Sequence, residues 1–270
     1  MESKFTFYND LLSLDKTNST YSKSYLKKRD LLTVKYKLNG NELLSKPNNF
    51  LRDTPTYLFI PNARKKFLVD KNTYTLHFKR AFDIFFSLGV FLFVLSWLYP
   101  IMYILIKLES PGPVFFKQQR TGLNGTPFEC YKFRSMRLNT HSDSMATCKN
   151  DHRVTKIGKF IRKNSIDEIP QFINVLFGDM SVVGPRPHML KETSAFVQTI
   201  PEFSIREQVK PGITGLAQVN GYRGKIDQIS DLKNRLRYDF VYIERASLTF
   251  DVKIIYNTFL KMIFGDDKAY

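Results

Sequence analysis

The most constraining feature of this sequence is an uncharged run from Ile84 to Ile106, which reads IFFSLGVFLFVLSWLYPIMYILI. As a straight α-helix, these 23 residues would extend about 34 Å, close to the thickness of a bilayer core. A fully buried helix of a soluble domain has a similar composition, but such helices rarely reach this length without a polar face. The run therefore predicts a membrane segment.

The residues around and inside this run leave its topology open. Lys79 and Arg80 precede it and Lys107 follows it, and basic flanks favour the cytoplasmic side of a membrane. Pro100 lacks a backbone donor, and Ser96, one turn earlier, offers a hydroxyl to a freed carbonyl. A re-entrant helix that breaks at Ser96 and Pro100 fits this pattern, and a kinked helix that spans the membrane fits it equally.

The charge balance predicts an anionic partner. With 41 basic and 25 acidic residues, the formal net charge is +16, which suits nucleic acid, an anionic membrane surface or a phosphorylated substrate. The two cysteines, Cys130 and Cys148, are too few for a disulfide framework and are not spaced as metal ligands, which is typical of a reducing compartment. The first residues lack the pattern of a signal peptide, so we expect none to be removed.

Three segments follow from the composition along the chain. Residues 1–78 are polar and carry no recognisable chemistry, so we expect an N-terminal extension of unknown role. Residues 79–108 hold the membrane segment, and residues 109–270 predict the main domain. The expected fold class is α+β, mainly helical and membrane-associated, with a β-hairpin or small sheet, one membrane helix that is re-entrant or spanning, and interfacial amphipathic helices.

Local patterns place the elements of the main domain. Turn formers between Val114–Phe116 and Phe128–Phe133 predict a β-hairpin, and residues 138–152 are polar and loop-like. Further elements are predicted as a helix over Val154–Arg162, a helix that follows Pro170 and ends at Gly178, a strand at Met180–Val183, and an amphipathic helix from Ile226 to Ile243. The apolar segment Val252–Phe264 fits either the membrane interface or packing against the core.

A carboxylate pair, Asp167 and Glu168, lies within a basic stretch of the chain. Ser165 to Glu168 matches a capping box, which is a purely structural interpretation. Pro170 instead favours a helix that starts near Ile169, which puts the pair just ahead of a helix N-terminus, where anions are stabilised. An ionised Asp167 at such a place can attack phosphorus, with a divalent cation neutralising the phosphates.

Several basic side chains near the pair are candidates for binding phosphate oxygens. They are Arg162, Lys132 and Arg134 at the end of the second hairpin strand, and Arg186, which a rigid frame of Pro185 and Pro187 would hold.

Five blocks of sequence occur in a familiar order: Lys132–Met136, Arg153–Gly158, Ser165–Gln171, Gly178–Pro187 and Lys210–Asn220. With them, the chain resembles the bacterial sugar transferases, the monotopic polyprenyl-phosphate phosphoglycosyl transferases, over about Phe78 to Tyr270. His188 and the run Gly221–Gly224 look like the branch that primes exopolysaccharide synthesis, typically with glucose-1-phosphate.

The resemblance implies a two-step reaction at the cytoplasmic face of the bacterial inner membrane. Asp167 would attack the sugar-bearing phosphate of a UDP-sugar, UMP would leave, and undecaprenyl phosphate would then take the phosphosugar from the aspartate. Glu168 would assist by positioning Mg²⁺ or deprotonating the acceptor, and Arg162 and Arg186 match positions expected to bind phosphate. Asp167 and Glu168 are therefore also the expected metal ligands.

The chain departs from the family in two places, and some choices stay open. The resemblance implies a re-entrant membrane helix that is broken at a Ser-Pro pair, whereas Ser96 and Pro100 are separated by three residues here, so the break is displaced. Leu216 replaces a common tryptophan. The sugar could be glucose, galactose, an N-acetylhexosamine or a diacetamido sugar, and a non-catalytic basic membrane adaptor is the alternative from another class. We expect no nucleic acid partner, while downstream glycosyltransferases and a second copy of the chain remain open as partners.

Overall fold

The computed structural model describes residues 77–138, 151–224, 226 and 228–264. The expected polar extension and most of the predicted loop at 138–152 lie outside the described residues. The helices are α1 (Lys79–Val90), α2 (Ser96–Glu109), α3 (Lys156–Lys163), α4 (Gln171–Phe177), α5 (Leu190–Thr199), α6 (Leu216–Val219), α7 (Ile229–Arg245) and α8 (Leu248–Phe264). The strands are β1 (Phe115–Thr121), β2 (Pro127–Phe133), β3 (Ser181–Val183) and β4 (Gly212–Thr214).

The described part is mainly helical with two small two-stranded sheets, which confirms the α+β class. Strands β1 and β2 form the predicted antiparallel hairpin, with Phe116 opposite Lys132. The hairpin turn closes through Gly122, whose N–H donates to the carbonyl of Thr126 at 2.7 Å. Asn124 and Gly125 adopt positive φ angles of 55° and 78° there, which suits residues of these types.

The second sheet was only half predicted. Strand β3 was expected from its run of apolar residues, but its parallel partner β4 was not, because Gly212–Thr214 holds a single apolar residue, Ile213, between a glycine and a threonine. The backbones of the two strands approach so closely at this point that a Cβ atom on Gly212 would overlap the backbone nitrogen of Gly184, which follows β3. Glycine at both positions therefore brings the residues that follow β3 against β4.

The observed helix boundaries differ from the predicted ones by a few residues. Helix α3 starts at Lys156 because Thr155 caps it, with Oγ1 accepting from the N–H of Gly158 at 2.9 Å. Helix α4 ends as predicted at Gly178, which has a φ of 94°. Helix α7 starts at Ile229, so the buried Ile226 precedes it.

The apolar run lies in one continuous helical stretch, Lys79–Glu109, in which a π-helical segment (Phe91–Leu95) joins α1 to α2. This stretch is long and apolar enough to cross a membrane. The hydroxyl of Ser96 donates to the carbonyl of Leu92 at 2.6 Å, in the turn where the hydrogen-bonding register changes. The predicted break at Ser96 and Pro100 is not seen as an interruption: the backbone stays helical through both residues, with a π-segment just before Ser96 and Pro100 inside α2.

Both ends of this long helix bind the same folded unit. Near its start, Lys79 Nζ lies 2.6 Å from Asp251 Oδ2, and Asp83 Oδ1 accepts from Ser181 Oγ and Val182 N at 3.0 Å each. At its end, the Glu109 carboxylate accepts from two backbone N–H groups of α3, at 2.6 and 2.9 Å. One side packs on the domain through a buried cluster that includes Leu98, Met102, Ile106, Phe133 and Ile161.

Helix α8 packs against the domain, which confirms one of the two interpretations of the last apolar segment, and a place in the membrane interface stays a prediction. Asp251 and Ile254 are fully buried against the domain. A second face carries a line of exposed apolar side chains at helical spacing: Leu248, Val252, Tyr256, Phe259 and Ile263. A face of this kind suits the surface of a membrane.

Candidate active site

The two carboxylates lie on a single 3₁₀ turn, Ile166–Glu168, between α3 and α4. Ser165 reverses the chain in the left-handed region, with a φ of 57° and no side-chain cap, so the capping-box interpretation is wrong. Helix α4 starts at Gln171 with Pro170 at its N-cap, two residues later than predicted. Ile166 and Ile169 pack into the cluster beneath the long helix, which leaves the carboxylates between them for other contacts.

Three cationic side chains bind Glu168. Arg186 Nη2 donates to Oε1 at 2.7 Å, Arg223 Nη2 donates to Oε2 at 2.6 Å, and Lys132 Nζ lies 3.3 Å from Oε1. Burial alone would raise the pKa of Glu168, but Arg186, Arg223 and Lys132 outweigh it and hold that pKa well below the ordinary value. Glu168 is therefore a fixed anion that organises the cations around it.

Asp167 differs from its neighbour because its carboxylate makes no hydrogen bond or ion pair within the described ranges of the chain. Its residue is only 9% exposed. Burial raises the pKa of Asp167, and the charge of Glu168 adds to this, against the lowering influence of Lys132, Arg162 and Arg223. The sequence predicted that a helix N-terminus would stabilise Asp167 as an anion. In the structure, Asp167 is instead a desolvated carboxylate that has cationic side chains nearby.

The frame around Arg186 is held from three directions. The carbonyl of Pro185 accepts from Gly212 N at 2.9 Å. The carbonyl of Pro187 accepts from Arg120 Nη1 at 3.0 Å. The carbonyl of Arg186 itself accepts from Arg206 Nη2 at 2.7 Å. Because these three backbone oxygens are fixed, the guanidinium of Arg186 is presented to Glu168 from a rigid segment.

The guanidinium that holds this frame is itself anchored in the core. Arg206 Nε donates to Asp239 Oδ2 at 2.8 Å, and both side chains are almost fully buried. His188, next to the frame, stacks edge-on against Phe196 and Phe203. Burial lowers the pKa of His188 to about 3, so this side chain is neutral and packs as an aromatic group.

Arg223 is the residue of the site that the sequence analysis missed. It lies in the run Gly221–Gly224, where Gly221 has a φ of 86°. The carbonyl of Gly224 accepts from the guanidinium of the buried Arg235, which holds the segment in place. An arginine between two glycines was the available signal, but only the structure shows that it reaches Glu168 across 55 residues of sequence.

The remaining predicted phosphate-binding residues fall into different places. Arg162 lies in the last turn of α3 and is close enough to Asp167 to lower the pKa of that carboxyl. Arg134 is turned to the end of α2, where its two Nη atoms donate to the carbonyls of Ser110 and Pro111. Since its guanidinium is buried in these contacts, Arg134 fixes the end of the long helix rather than a phosphate.

The carboxylates fit a magnesium ion only in part. Within the described residues, no group of three or more His, Cys, Asp or Glu side chains forms a metal site. Mg²⁺ commonly takes one or two carboxylates and completes its shell with water and substrate phosphates. Asp167 is open for such a role, whereas cationic groups occupy both oxygens of Glu168.

Taken together, the fold and site define a protein suited to phosphate chemistry beside an apolar helix of membrane length. The sequence profile described as Bacterial sugar transferase matches residues 74–265. The chain therefore belongs to the bacterial sugar transferase family.

Similar proteins in this family carry different substrate names. A UDP-glucose:undecaprenyl-phosphate glucose-1-phosphate transferase of Klebsiella pneumoniae is 45% identical over 191 residues, covering 70% of this chain and 41% of that protein. The exopolysaccharide production protein PSS of Rhizobium leguminosarum bv. phaseoli is 44% identical over 185 residues, covering 67% of this chain and 92% of that protein. A UDP-N-acetylgalactosamine-undecaprenyl-phosphate N-acetylgalactosaminephosphotransferase of Aeromonas hydrophila is 46% identical over 164 residues, covering 60% and 38%. The chain thus spans about two fifths of the length of the first and third of these relatives.

Proposed function

We propose that this protein transfers a sugar-1-phosphate from a UDP-sugar to undecaprenyl phosphate, releasing UMP and starting the assembly of an exopolysaccharide or related glycan. The observation that carries the proposal is the pairing of two carboxylates: Asp167 is desolvated and has no hydrogen-bond partner among the described residues, and Glu168 is bound by three cationic side chains. A nucleophile next to fixed positive charge is what an attack on a diphosphate requires. The name of the Klebsiella pneumoniae relative supports the same reaction, and the name of the Rhizobium leguminosarum relative supports a role in exopolysaccharide production.

In the first step, an oxygen of Asp167 attacks the phosphorus that bears the sugar. The bond from that phosphorus to the bridging oxygen breaks, and the oxygen leaves with UMP, so the phosphosugar is joined to the aspartate. Arg186, Arg223 and Lys132 neutralise the charge that develops on the phosphate oxygens. Arg162 adds positive charge near Asp167.

In the second step, a phosphate oxygen of undecaprenyl phosphate attacks the same phosphorus. The bond to Asp167 breaks, the carboxylate is regenerated, and the product is the sugar linked to the lipid by a diphosphate. Glu168 stays ionised throughout because its pKa is held well below the ordinary value. Its role is then to position Arg186, Arg223 and Lys132, not to carry a proton.

We also propose Mg²⁺ as the cofactor, held by Asp167 together with the phosphates of the donor. When bound, the ion would supply positive charge that offsets the negative charge of the diphosphate, which otherwise repels an approaching carboxylate. The proposal assigns Glu168 no direct bond to the ion, because its oxygens are occupied by Arg186, Arg223 and Lys132.

We place the protein at the inner membrane of a bacterium, with its domain on the cytoplasmic side and its long helix re-entrant. Lys79 and Glu109, at the two ends of that helix, bind polar groups of one domain. A straight helix across the bilayer would put its ends on opposite sides, about 30 Å of hydrocarbon apart. The exposed apolar face of α8 provides a second contact with the membrane surface.

The proposal is tested by measuring UMP release from a series of UDP-sugars, with undecaprenyl phosphate and Mg²⁺. Glucose is the first sugar to try, and N-acetylgalactosamine the second, because relatives of similar identity are named for each. Asp167→Asn should abolish both UMP release and the trapped phosphosugar adduct, while Glu168→Gln should still form adduct slowly. Near-native UMP release by Asp167→Asn would refute the assignment, and a chain inert towards every UDP-sugar would favour a non-catalytic membrane adaptor.

A further inference from the structure

Two charged side chains on the buried face of α7 have no part in the two chemical steps described above. Arg235 and Asp239 are only 5% and 2% exposed, and they lie four residues apart, so they project from the same side of the helix. Charged side chains are seldom buried this deeply unless they are paired, because taking a charge out of water is costly. The groups that these two side chains bind therefore indicate their role.

Asp239 is connected to Arg186 through one guanidinium group. Arg206 Nε donates to Asp239 Oδ2 at 2.8 Å, and Arg206 Nη2 donates to the carbonyl of Arg186 at 2.7 Å. Both nitrogens belong to one rigid planar group, so the position of Asp239 sets the direction from which Arg206 holds the Arg186 backbone. At the far end of this path, Arg186 Nη2 donates to Glu168 Oε1 at 2.7 Å.

Arg235 is connected to Arg223 by a second path. One Nη atom of Arg235 donates to the carbonyl of Gly224, the residue after Arg223. Its other Nη atom lies 3.5 Å from Nε2 of His188, whose Nδ1 lies 3.5 Å from Glu192 Oε2. Burial lowers the pKa of His188 to about 3, so the neutral ring accepts from Arg235 with one nitrogen and donates to Glu192 with the other. The guanidinium of Arg235 is thus fixed on both sides.

The two paths start within one turn of α7 and end on opposite oxygens of one carboxylate. Arg186 donates to Oε1 of Glu168, and Arg223 donates to Oε2. The charge of Asp239 also favours the charged form of Arg235, so the two paths share one anion. A single turn of a buried helix therefore supports both arginines that bind Glu168.

We propose that Asp239 and Arg235 are positioning residues of the reaction. Asp239 acts on Arg186 through the bridging guanidinium of Arg206. Arg235 acts on Arg223 through the carbonyl that follows it. Together they set the spacing of two guanidinium groups that meet the phosphate oxygens of the donor in the transition state. The inference rests on the proposed function, and it assigns a role to residues that do not touch the substrate.

The test is the single-turnover rate of UMP release without acceptor, measured with the UDP-sugar that the wild-type protein uses fastest. Asp239→Asn keeps the shape of the side chain but removes its charge, so Arg206 loses its ion pair and Arg186 its fixed direction. The rate at saturating donor should fall about 10- to 100-fold, somewhat less than for the loss of a complete transition-state donor. The half-saturating donor concentration should change less than about threefold, because the lost interaction is made in the transition state. Glu244→Gln, an exposed carboxylate on the same helix, is the matched control and should keep the wild-type rate.

A double-mutant cycle separates positioning from a purely structural role. Arg186→Lys alone should slow UMP release, and adding Asp239→Asn should slow it by no more than about a further twofold, since the group that Asp239 directs is already replaced. Effects of Arg186→Lys and Asp239→Asn that multiply in the double variant would overturn the assignment of Asp239. The same cycle with Arg223→Lys and Arg235→Lys tests the second path, and multiplying effects there would remove Arg235 from the proposal.

Arg206→Lys keeps the inference testable if Asp239→Asn does not fold. A lysine keeps the buried charge beside Asp239 but lacks the fork that also reaches the Arg186 carbonyl, so the rate should fall by a similar factor. A folded Asp239→Asn or Arg206→Lys protein, with the melting temperature of the wild type and its full rate, would refute the positioning role. A wild-type protein that releases no UMP would instead refute the proposed function, so the two failures are distinguishable.

Discussion

At the residue scale, the site depends on the unequal surroundings of two adjacent carboxylates. Glu168 is bound by Lys132, Arg186 and Arg223, whereas Asp167 is desolvated and makes no such contact in the described part of the chain. Adjacent groups whose pKa values are pushed in opposite directions can take different roles in one reaction. Here the ionised partner organises positive charge, and the desolvated partner is left to react.

Arg223 should contribute to donor binding and to the transition state. Arg223→Gln removes a charge-assisted hydrogen bond of about 1.5–3 kcal/mol, which corresponds to a loss in kcat/KM for the UDP-sugar of about 10- to 100-fold. Arg223→Lys keeps the charge but loses the fork geometry, so its loss should be smaller. Steady-state kinetics of UMP release measure both variants. If Arg223→Gln had wild-type kcat/KM, the ion pair with Glu168 would serve folding alone.

The pH dependence of adduct formation should report the ionisation of Asp167. Burial raises the pKa of Asp167 above its ordinary value, while Lys132 lowers it. Since the carboxylate is the attacking form, the rate should fall as the pH drops through that pKa. Lys132→Met removes a charge that favours ionisation, so it should raise the pKa of Asp167 and move the acid limb to higher pH.

The measurement is the single-turnover rate of UMP release across the acidic range, without acceptor. Lys159→Met is the matched control, because Lys159 is exposed on α3 and does not lower the pKa of Asp167. An acid limb at the same pH in wild type, Lys132→Met and Lys159→Met would mean that Asp167 does not limit the step.

At the element scale, sequence patterns predicted what is local and missed what is formed by contacts distant in sequence. The hairpin, α4 with its end at Gly178, and the apolar stripe of α7 follow from turn formers and periodicity. The pairing of β3 with β4 does not, because it depends on two glycines 28 positions apart meeting in space. Likewise the sequence predicted the same role, phosphate binding, for Arg134 and Lys132. In the structure, Lys132 contacts Glu168, whereas Arg134 donates to the carbonyls at the end of α2.

The close approach of β3 and β4 makes Gly212 a sensitive position. In Gly212→Ala, the added Cβ atom overlaps the backbone of Gly184, just ahead of the Arg186 frame. Overpacking of this kind costs about 1–3 kcal/mol or more, so the melting temperature in detergent should fall by several degrees and UMP release should drop. Gly89→Ala is the control because nothing lies within 4 Å of its Cβ position. A Gly212→Ala protein as stable and active as Gly89→Ala would refute this account.

At the scale of the whole molecule, the long helix and the domain form one unit, since both helix ends are joined to it. At one end Lys79 pairs with the fully buried Asp251, and at the other Glu109 caps the start of α3. Breaking either end to let the helix cross a bilayer would leave a buried carboxylate or helix terminus without its partner, at a cost of several kcal/mol. This cost is the physical reason for proposing a re-entrant helix rather than a membrane-spanning one.

Cysteine labelling tests this topology, with Phe78→Cys and Leu108→Cys placed at the two ends of the helix. Both positions are exposed, at 65% and 80%, and Cys148→Ser removes the native thiol that could interfere, since Cys130 is buried. With a membrane-impermeant maleimide, both cysteines should stay unlabelled in intact spheroplasts and react only after lysis. Lys191→Cys, on the exposed face of α5, is the control for the cytoplasmic side and should behave in the same way. Labelling of Phe78→Cys alone from outside would establish a membrane-spanning helix, and it would require the Lys79–Asp251 pair to be absent in the membrane. Protection of both ends would put the exposed face of α8 and the carboxylate pair on the same, cytoplasmic side of the membrane, where a lipid-borne phosphate can reach Asp167.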